Sequence, residues 1–219
     1  MTNASVTNPS DILLNNVASV AIFKPKFNPQ SGKIFSDELN ILGTAFWAGE
    51  KKVLITCAHV IKGLIQSPVE LAGLLVIGYK GDFYRATIGI VDDQHDLATL
   101  DIVDKFDQPT IAGIIISKEY LAVSSQVAWA GYPLGNFLLN QVHQPTYNEG
   151  VVGIEKRIEV FRKSVQVSGT VVGGYSGSPV INKIDGAVVG VVSNGPQNSG
   201  IFMAISFEHL EALINLKLS

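Results

Sequence analysis

Short runs rich in Val, Ile, Phe and Tyr recur along the chain, each closed by Gly, Asn, Asp, Pro or a charged turn. They read as strands over Val17–Lys24, Leu42–Ala48, Val53–Thr56, Leu74–Tyr79, Phe83–Val91 and Leu97–Ile102. After a polar break at Asp104–Pro109 they resume: Ile111–Ile116, Gln126–Ala130, Glu149–Ile154, Ile158–Val167, Pro179–Asn182, Ala187–Ser193 and Gly200–Ile205. Strands this short, joined by turns such as Gly49-Glu50-Lys51-Lys52 and Asp185-Gly186, predict an all-β barrel or sandwich rather than βαβ units. Pro25–Asn40 carries two prolines and reads as a loop.

Helices are expected only at the two ends. Ser10 is a candidate N-cap for a short helix carrying Ile12, Leu13 and Leu14, behind a polar tail. Ser206 caps a closing helix over Phe207–Lys217, whose Phe207, Leu210, Leu213 and Ile214 share one face. The division expected is a tail and short helix over 1–16, a first barrel over 17–118 and a second over 119–219, with the helix at 206–217.

Apolar residues make up 47% of 219, enough for a core of that size. A net charge of -3 without a cluster of Lys and Arg argues against a nucleic-acid partner. Cys57 is the single cysteine, which rules out an internal disulfide. Met1 to Asp11 is polar, with no leader pattern and no membrane-spanning run, so the location expected is cytoplasmic and no membrane partner is expected.

One stretch departs from the strand-and-turn pattern. Gly173-Gly174-Tyr175-Ser176-Gly177-Ser178-Pro179-Val180 is too rich in glycine for a strand interior. It is either a tight turn or a loop presenting a nucleophilic serine, with neighbouring N–H groups as an anion hole. A serine nucleophile needs a base, and the base needs an orienting acid. His59 stands just past an apolar strand, in Thr56-Cys57-Ala58-His59. Asp96 stands between a polar turn and the strand that opens at Leu97. His95, His143 and His209 read as solvated or capping residues, and Asp92 and Asp93 as turn residues.

Thr56-Cys57-Ala58-His59, Asp96-Leu97-Ala98 and Gly174-Tyr175-Ser176-Gly177-Ser178-Pro179 resemble the three signatures of the chymotrypsin-like serine peptidases, in that clan's His, Asp, Ser order. The second and third lie 37 and 80 residues after the one before (59 to 96, 96 to 176). Gly43-Thr44-Ala45-Phe46 is similar to the strand leading into the histidine loop. Val60-Ile61, Gly131-Tyr132-Pro133-Leu134-Gly135 and Gly150-Val151-Val152-Gly153 look like the HtrA/Deg branch, and a PDZ domain is not expected.

The resemblance implies two antiparallel six-stranded β-barrels with the active site in the cleft between them. It implies Ser176 as nucleophile, His59 as base and Asp96 as the acid, with the N–H groups of Gly174 and Ser176 as oxyanion hole. Ser178 ranks below Ser176. Thr170, Ser193, Asn194, Gly195 and Gly200 would line the substrate pocket; no carboxylate among them favours Lys or Arg before the cut. Tyr175 stands where the digestive enzymes carry the Asp that pairs with a freshly cut N-terminus, so no zymogen switch of that kind is expected. Cys57 reads as a small buried hydrophobe, and no metal site or cofactor is expected. The function expected is a serine endopeptidase acting on a protein or peptide, the alternative being a catalytically silent peptidase-fold binding module. A lipase-like hydrolase fits neither the order nor the strand pattern. Oligomeric state is left open.

Overall fold

The structure is a computed structural model, and it describes residues 8–27, 30, 34–66, 74–135, 144–158, 162–196 and 199–219. The first barrel is built from β1 (Val17–Phe27), β2 (Ile34–Ala48), β3 (Val53–Thr56), β4 (Leu74–Tyr79), β5 (Asp82–Asp92) and β6 (Leu97–Ile102). Its strands run β1-β2-β3-β6-β5-β4, and β4 pairs back to β1. The second uses β7 (Gln126–Gly131), β8 (Thr146–Ile158), β9 (Lys163–Ser168), β10 (Pro179–Asn182), β11 (Val188–Asn194) and β12 (Ile201–Ser206). Its order is β10-β11-β12-β9-β8-β7, closed by β7 against β10. All these pairings are antiparallel, so the fold is the expected pair of six-stranded barrels. Closure leaves neither sheet with an open edge.

Among the described residues three helices join them: α1 (Pro9–Asn16), α2 (Ala58–Gln66) and α3 (Phe207–Leu218). Ser206 caps α3 as expected, accepting from the Glu208 N–H, and buries Phe207, Leu210 and Leu213. At α1 the cap is Asn8 rather than Ser10, because Pro9 takes the first helical turn, where its missing N–H costs nothing. Helix α2 was not legible as an element. Its Val60, Ile61 and Leu64 sit at helical spacing, but they follow β3 directly and extend its apolar run.

Two other expectations change. Most of Pro25–Asn40 is strand, because β1 and β2 continue past the barrel as a paired arm. The stretch Glu38–Leu42 is no more than half-buried, so it lacks the apolar signal of a core strand. Ile111–Ile116 is no regular strand. It crosses between the barrels on single bridges, Ala48 to Ile114 and Ile116 to Val188. The loose tail expected over Met1–Ser10 is shorter, since Pro9 and Ser10 already belong to α1; its residues 1–7 lie outside the described residues.

The larger core fills the first barrel and runs across to Ala128, Ala130, Ile181 and Val191 of the second and to Leu210 and Leu213 of α3. A second core inside the second barrel holds Trp129 edge-on to Phe202, with Val127, Val152, Val167 and Tyr175. No helix among the described residues is long and apolar enough to cross a membrane.

Candidate active site

The three signatures converge where the barrels meet. The His59 ring faces the Asp96 carboxylate, with Nδ1 3.0 Å from Oδ1 and 2.8 Å from Oδ2. The same carboxylate accepts the His59 backbone N–H at 2.9 Å, and the Asp96 carbonyl accepts the Ala58 N–H at 3.1 Å. Asp96 thus satisfies the free N–H groups at the start of α2, where negative charge is favoured, while it orients the first ring of that helix. These bonds hold Asp96 at φ +59°, a left-handed conformation that side chains seldom adopt.

A third donor comes from the second barrel. The Ser193 hydroxyl donates to Asp96 Oδ2 at 2.8 Å. Arg162 Nη1 donates to Ser193 Oγ at 3.3 Å and lies 3.7 Å from Asp96 Oδ2. A guanidinium only donates, so the Ser193 proton must go to Asp96. Burial pushes the Asp96 carboxyl up, but the His59 ring and backbone N–H and the Ser193 hydroxyl more than offset it and hold it below its ordinary value. Because a carboxylate accepts only, the ring proton sits on Nδ1, which leaves Nε2 free to accept.

Ser176 Oγ donates to the Ser193 carbonyl at 3.2 Å, and among the described residues no hydrogen bond joins it to His59. The backbone around it is fully specified. The Gly173 carbonyl accepts from Leu134 N–H at 2.7 Å, and the Gly174 carbonyl accepts the Thr44 hydroxyl at 2.8 Å. The Tyr175 carbonyl accepts from Ser178 N–H at 2.9 Å, and the Ser176 carbonyl from Thr44 N–H at 2.9 Å. Tyr175 N–H donates to the Val172 carbonyl and Gly177 N–H to the Val192 carbonyl. Between Gly174 and Ser178, the N–H groups of Gly174 and Ser176 alone have no partner among the described residues. In each case the carbonyl of the same planar peptide is tied down, which fixes the N–H on the opposite side.

Two glycines make this backbone accessible. Gly174 has φ +101°, and a Cβ there would lie 2.1 Å from the Tyr132 carbonyl oxygen. Gly177 has φ +89°, and its Cβ would lie 2.0 Å from the Thr44 carbonyl oxygen. Ser178 is fully buried, with its hydroxyl unpartnered among the described residues, whereas Ser176 is only half-buried. Tyr175 turns away from the site into the second core, and its phenol oxygen accepts from Asn148 Nδ2.

Thr170 and Gly200 line one cavity of about 470 Å³ with Gly169, Val171, Val172 and Ile201, and no charged residue lines it. Ser193 turns to Asp96 instead, and Asn194 and Gly195 are not among the lining residues. The Cys57 thiol is buried and donates to the Val192 carbonyl at 3.3 Å; burial above all, then the Asp96 charge, pushes it up. Among the described residues, Cys57, His59 and Asp96 have ligand atoms within 4.8 Å of one another. The neutral thiol is committed to the Val192 carbonyl and the ring Nδ1 to the Asp96 carboxylate. His95 pairs with Asp92 and stacks on His209, while His143 lies outside the described residues.

The parts that sequence reasoning did not assign are Thr44 as a clamp on the serine loop, Ser193 as a donor to Asp96, and Arg162. Thr44 lies in the Gly43–Phe46 segment that carries the resemblance, and Ser193 was expected to line the pocket. Arg162 carries no local signal, since only the barrel closure brings it to Asp96.

Residues 43–191 match the family model of the trypsin-like peptidase domain. A curated protein of Halomonas elongata, named a probable periplasmic serine endoprotease DegP-like, is 29% identical over 182 residues. That alignment covers 82% of this chain and 35% of the relative, so the chain spans about a third of that protein's length. The solved structure of the HtrA-type protease AlgW with decapeptide superposes with a TM-score of 0.75 at 18% identity, over 97% of this chain and 67% of that one. At that identity the likeness is one of fold. The expected cytoplasmic location is corrected by the curated relative, which is named as periplasmic. A polar first stretch is no guide to the compartment of a chain that matches only part of its relative.

Proposed function

The chain belongs to the family of trypsin-like peptidase domains, and on that premise we propose that it is a serine endopeptidase working through Ser176, His59 and Asp96. The observation that carries this reading is the free N–H pair of Gly174 and Ser176 beside a histidine held by ring and backbone to Asp96. Rotation about the Ser176 side-chain bond takes Oγ from the Ser193 carbonyl to His59 Nε2, a contact that tightens when substrate fills the cleft. Oγ attacks the peptide carbonyl and its proton passes to Nε2. Asp96 stabilises the imidazolium, and the two N–H groups take the oxyanion, each contributing roughly 10²–10³ in rate. His59 then gives the proton to the leaving amine, and water hydrolyses the acyl-enzyme by the same steps.

The substrate class is a protein or peptide. The uncharged cavity beside Thr170 and Gly200 favours an apolar side chain before the scissile bond and disfavours Lys and Arg. The second reading, a silent binding module, is favoured by one observation, the Ser176 hydroxyl resting on Ser193 rather than His59.

A fluorophosphonate probe separates the two. The peptidase reading expects labelling of the parent, its loss in Ser176→Ala, and a rate loss of several orders of magnitude in His59→Ala with the fold intact. An unlabelled parent favours the binding module. Dominant cleavage after Lys or Arg in a peptide library would refute the pocket assignment.

A further inference from the structure

Tyr175 is the residue between the two free N–H groups, and its side chain takes no part in the chemistry described above. Its ring is 4% exposed and packs in the second core with Val127, Trp129 and Val152. Gly131 makes the space: a Cβ there would lie 3.1 Å from Tyr175 Cδ1 and 2.2 Å from Ser178 Oγ. The phenol oxygen accepts from Asn148 Nδ2, with Thr146 beside it, and Asn148 is paired to Trp129 across the β7–β8 ladder. The ring is therefore bolted to the barrel wall at its far end and wedged at its near end.

We propose that Tyr175 is a positioning residue: anchored by Asn148, it holds the Gly174 and Ser176 N–H groups in the open, acceptor-free arrangement, so the loop needs neither chain cleavage nor a bound ligand to form. The inference rests on the peptidase reading for its kinetic consequence. Its physical basis is the loop's own freedom. Gly174, at φ +101°, offers little torsional resistance, so a peptide flip would turn a carbonyl toward the oxyanion position. Tyr175 carries the bulkiest side chain of the Gly174–Ser178 loop, and its burial opposes that flip from the core side, as Thr44 does from the first barrel.

The test combines a rate with a measurement that needs no activity. Fluorophosphonate labelling is expected to slow by about 3–10-fold in Tyr175→Phe and in Asn148→Leu, with the double variant no slower than the worse single, because both remove one bond. Tyr175→Ala is expected to lose about 10²–10³-fold, the worth of an oxyanion donor, with kcat falling more than KM changes. In ¹⁵N spectra the Gly174 and Ser176 amides are expected as single signals in the parent and as doubled or broadened signals in Tyr175→Phe. Parent-like labelling with single signals in Tyr175→Phe overturns the inference, even if its melting temperature falls. A parent that does not label sinks the peptidase reading; the amide signals then decide on Tyr175 by themselves.

Discussion

Thr44→Val is the perturbation whose size the structure specifies most directly. Thr44 is fully buried in the first barrel and reaches the serine loop of the second. Its hydroxyl accepts the Tyr132 N–H at 3.1 Å and donates to the Gly174 carbonyl at 2.8 Å. Its own N–H and C=O are used as well, by Ser176 and by the Thr56 hydroxyl at 2.7 Å. Valine keeps the shape and those two backbone bonds but removes the hydroxyl from the buried Tyr132 N–H and the part-buried Gly174 carbonyl. A stranded buried group costs about 1–3 kcal/mol, and carbonyls lie at the low end, so the expected loss is about 2–4 kcal/mol. In a chain of this length that lowers the melting temperature by roughly 5–15 °C. Thr44→Ser keeps both bonds and loses one methyl, for about 1 kcal/mol. Urea unfolding followed by the fluorescence of Trp47 and Trp129, one in each barrel, measures both variants. A valine variant within 0.5 kcal/mol of the parent, or a serine variant less stable than the valine one, would refute the clamp.

Two further outcomes are expected. The His209 ring accepts the Lys163 N–H at 3.0 Å and stacks on His95 with centroids 4.0 Å apart; burial first, then the His95 charge, lowers its pKa to about 4. The unfolded chain therefore takes up this proton before the native one does. The stabilisation is whole above about pH 6.5, drains away as pH falls from there to about 4, and changes no further below. Since the ring is partly exposed, screening reduces the loss to about 1–2 kcal/mol. Urea midpoints at pH 7 and 4.5 should differ less in His209→Gln than in the parent, and an unchanged difference would count against the assignment. Ser178→Ala removes a buried hydroxyl without a partner among the described residues and should leave fluorophosphonate labelling intact while changing stability by about 0 to +1 kcal/mol. Loss of labelling in that variant would move the nucleophile from Ser176.

The fold was largely written in local pattern. β3, β4, β6 and β10 span the residues expected of them, because each is buried on nearly every residue. The paired arm of β1 and β2 was illegible because Pro25 and the polar residues after it read locally as a loop, while the pairing is set by the partner strand. Ile111–Ile116 is apolar yet unladdered, because burial between two barrels needs hydrophobic residues whether or not strands pair.

The chain itself supplied the candidates: His59 and Asp96 at strand ends and Ser176 in a glycine loop, singled out by the resemblance of three signatures in order. Tertiary structure alone decided how they are held. The free N–H pair exists because Leu134, Thr44 and Ser178, drawn from both barrels, consume the neighbouring carbonyls. The Asp96 carboxylate is shared by α2 and Ser193 only because closure of the second barrel brings β11 against the first. Tyr175, which the sequence marks as a departure, is anchored only because barrel closure pairs β7, which carries Gly131, with β8, which carries Asn148. Hydrogen bonds across 97 or 130 residues of chain have no local signature, since each partner is an ordinary serine or threonine until the barrels close.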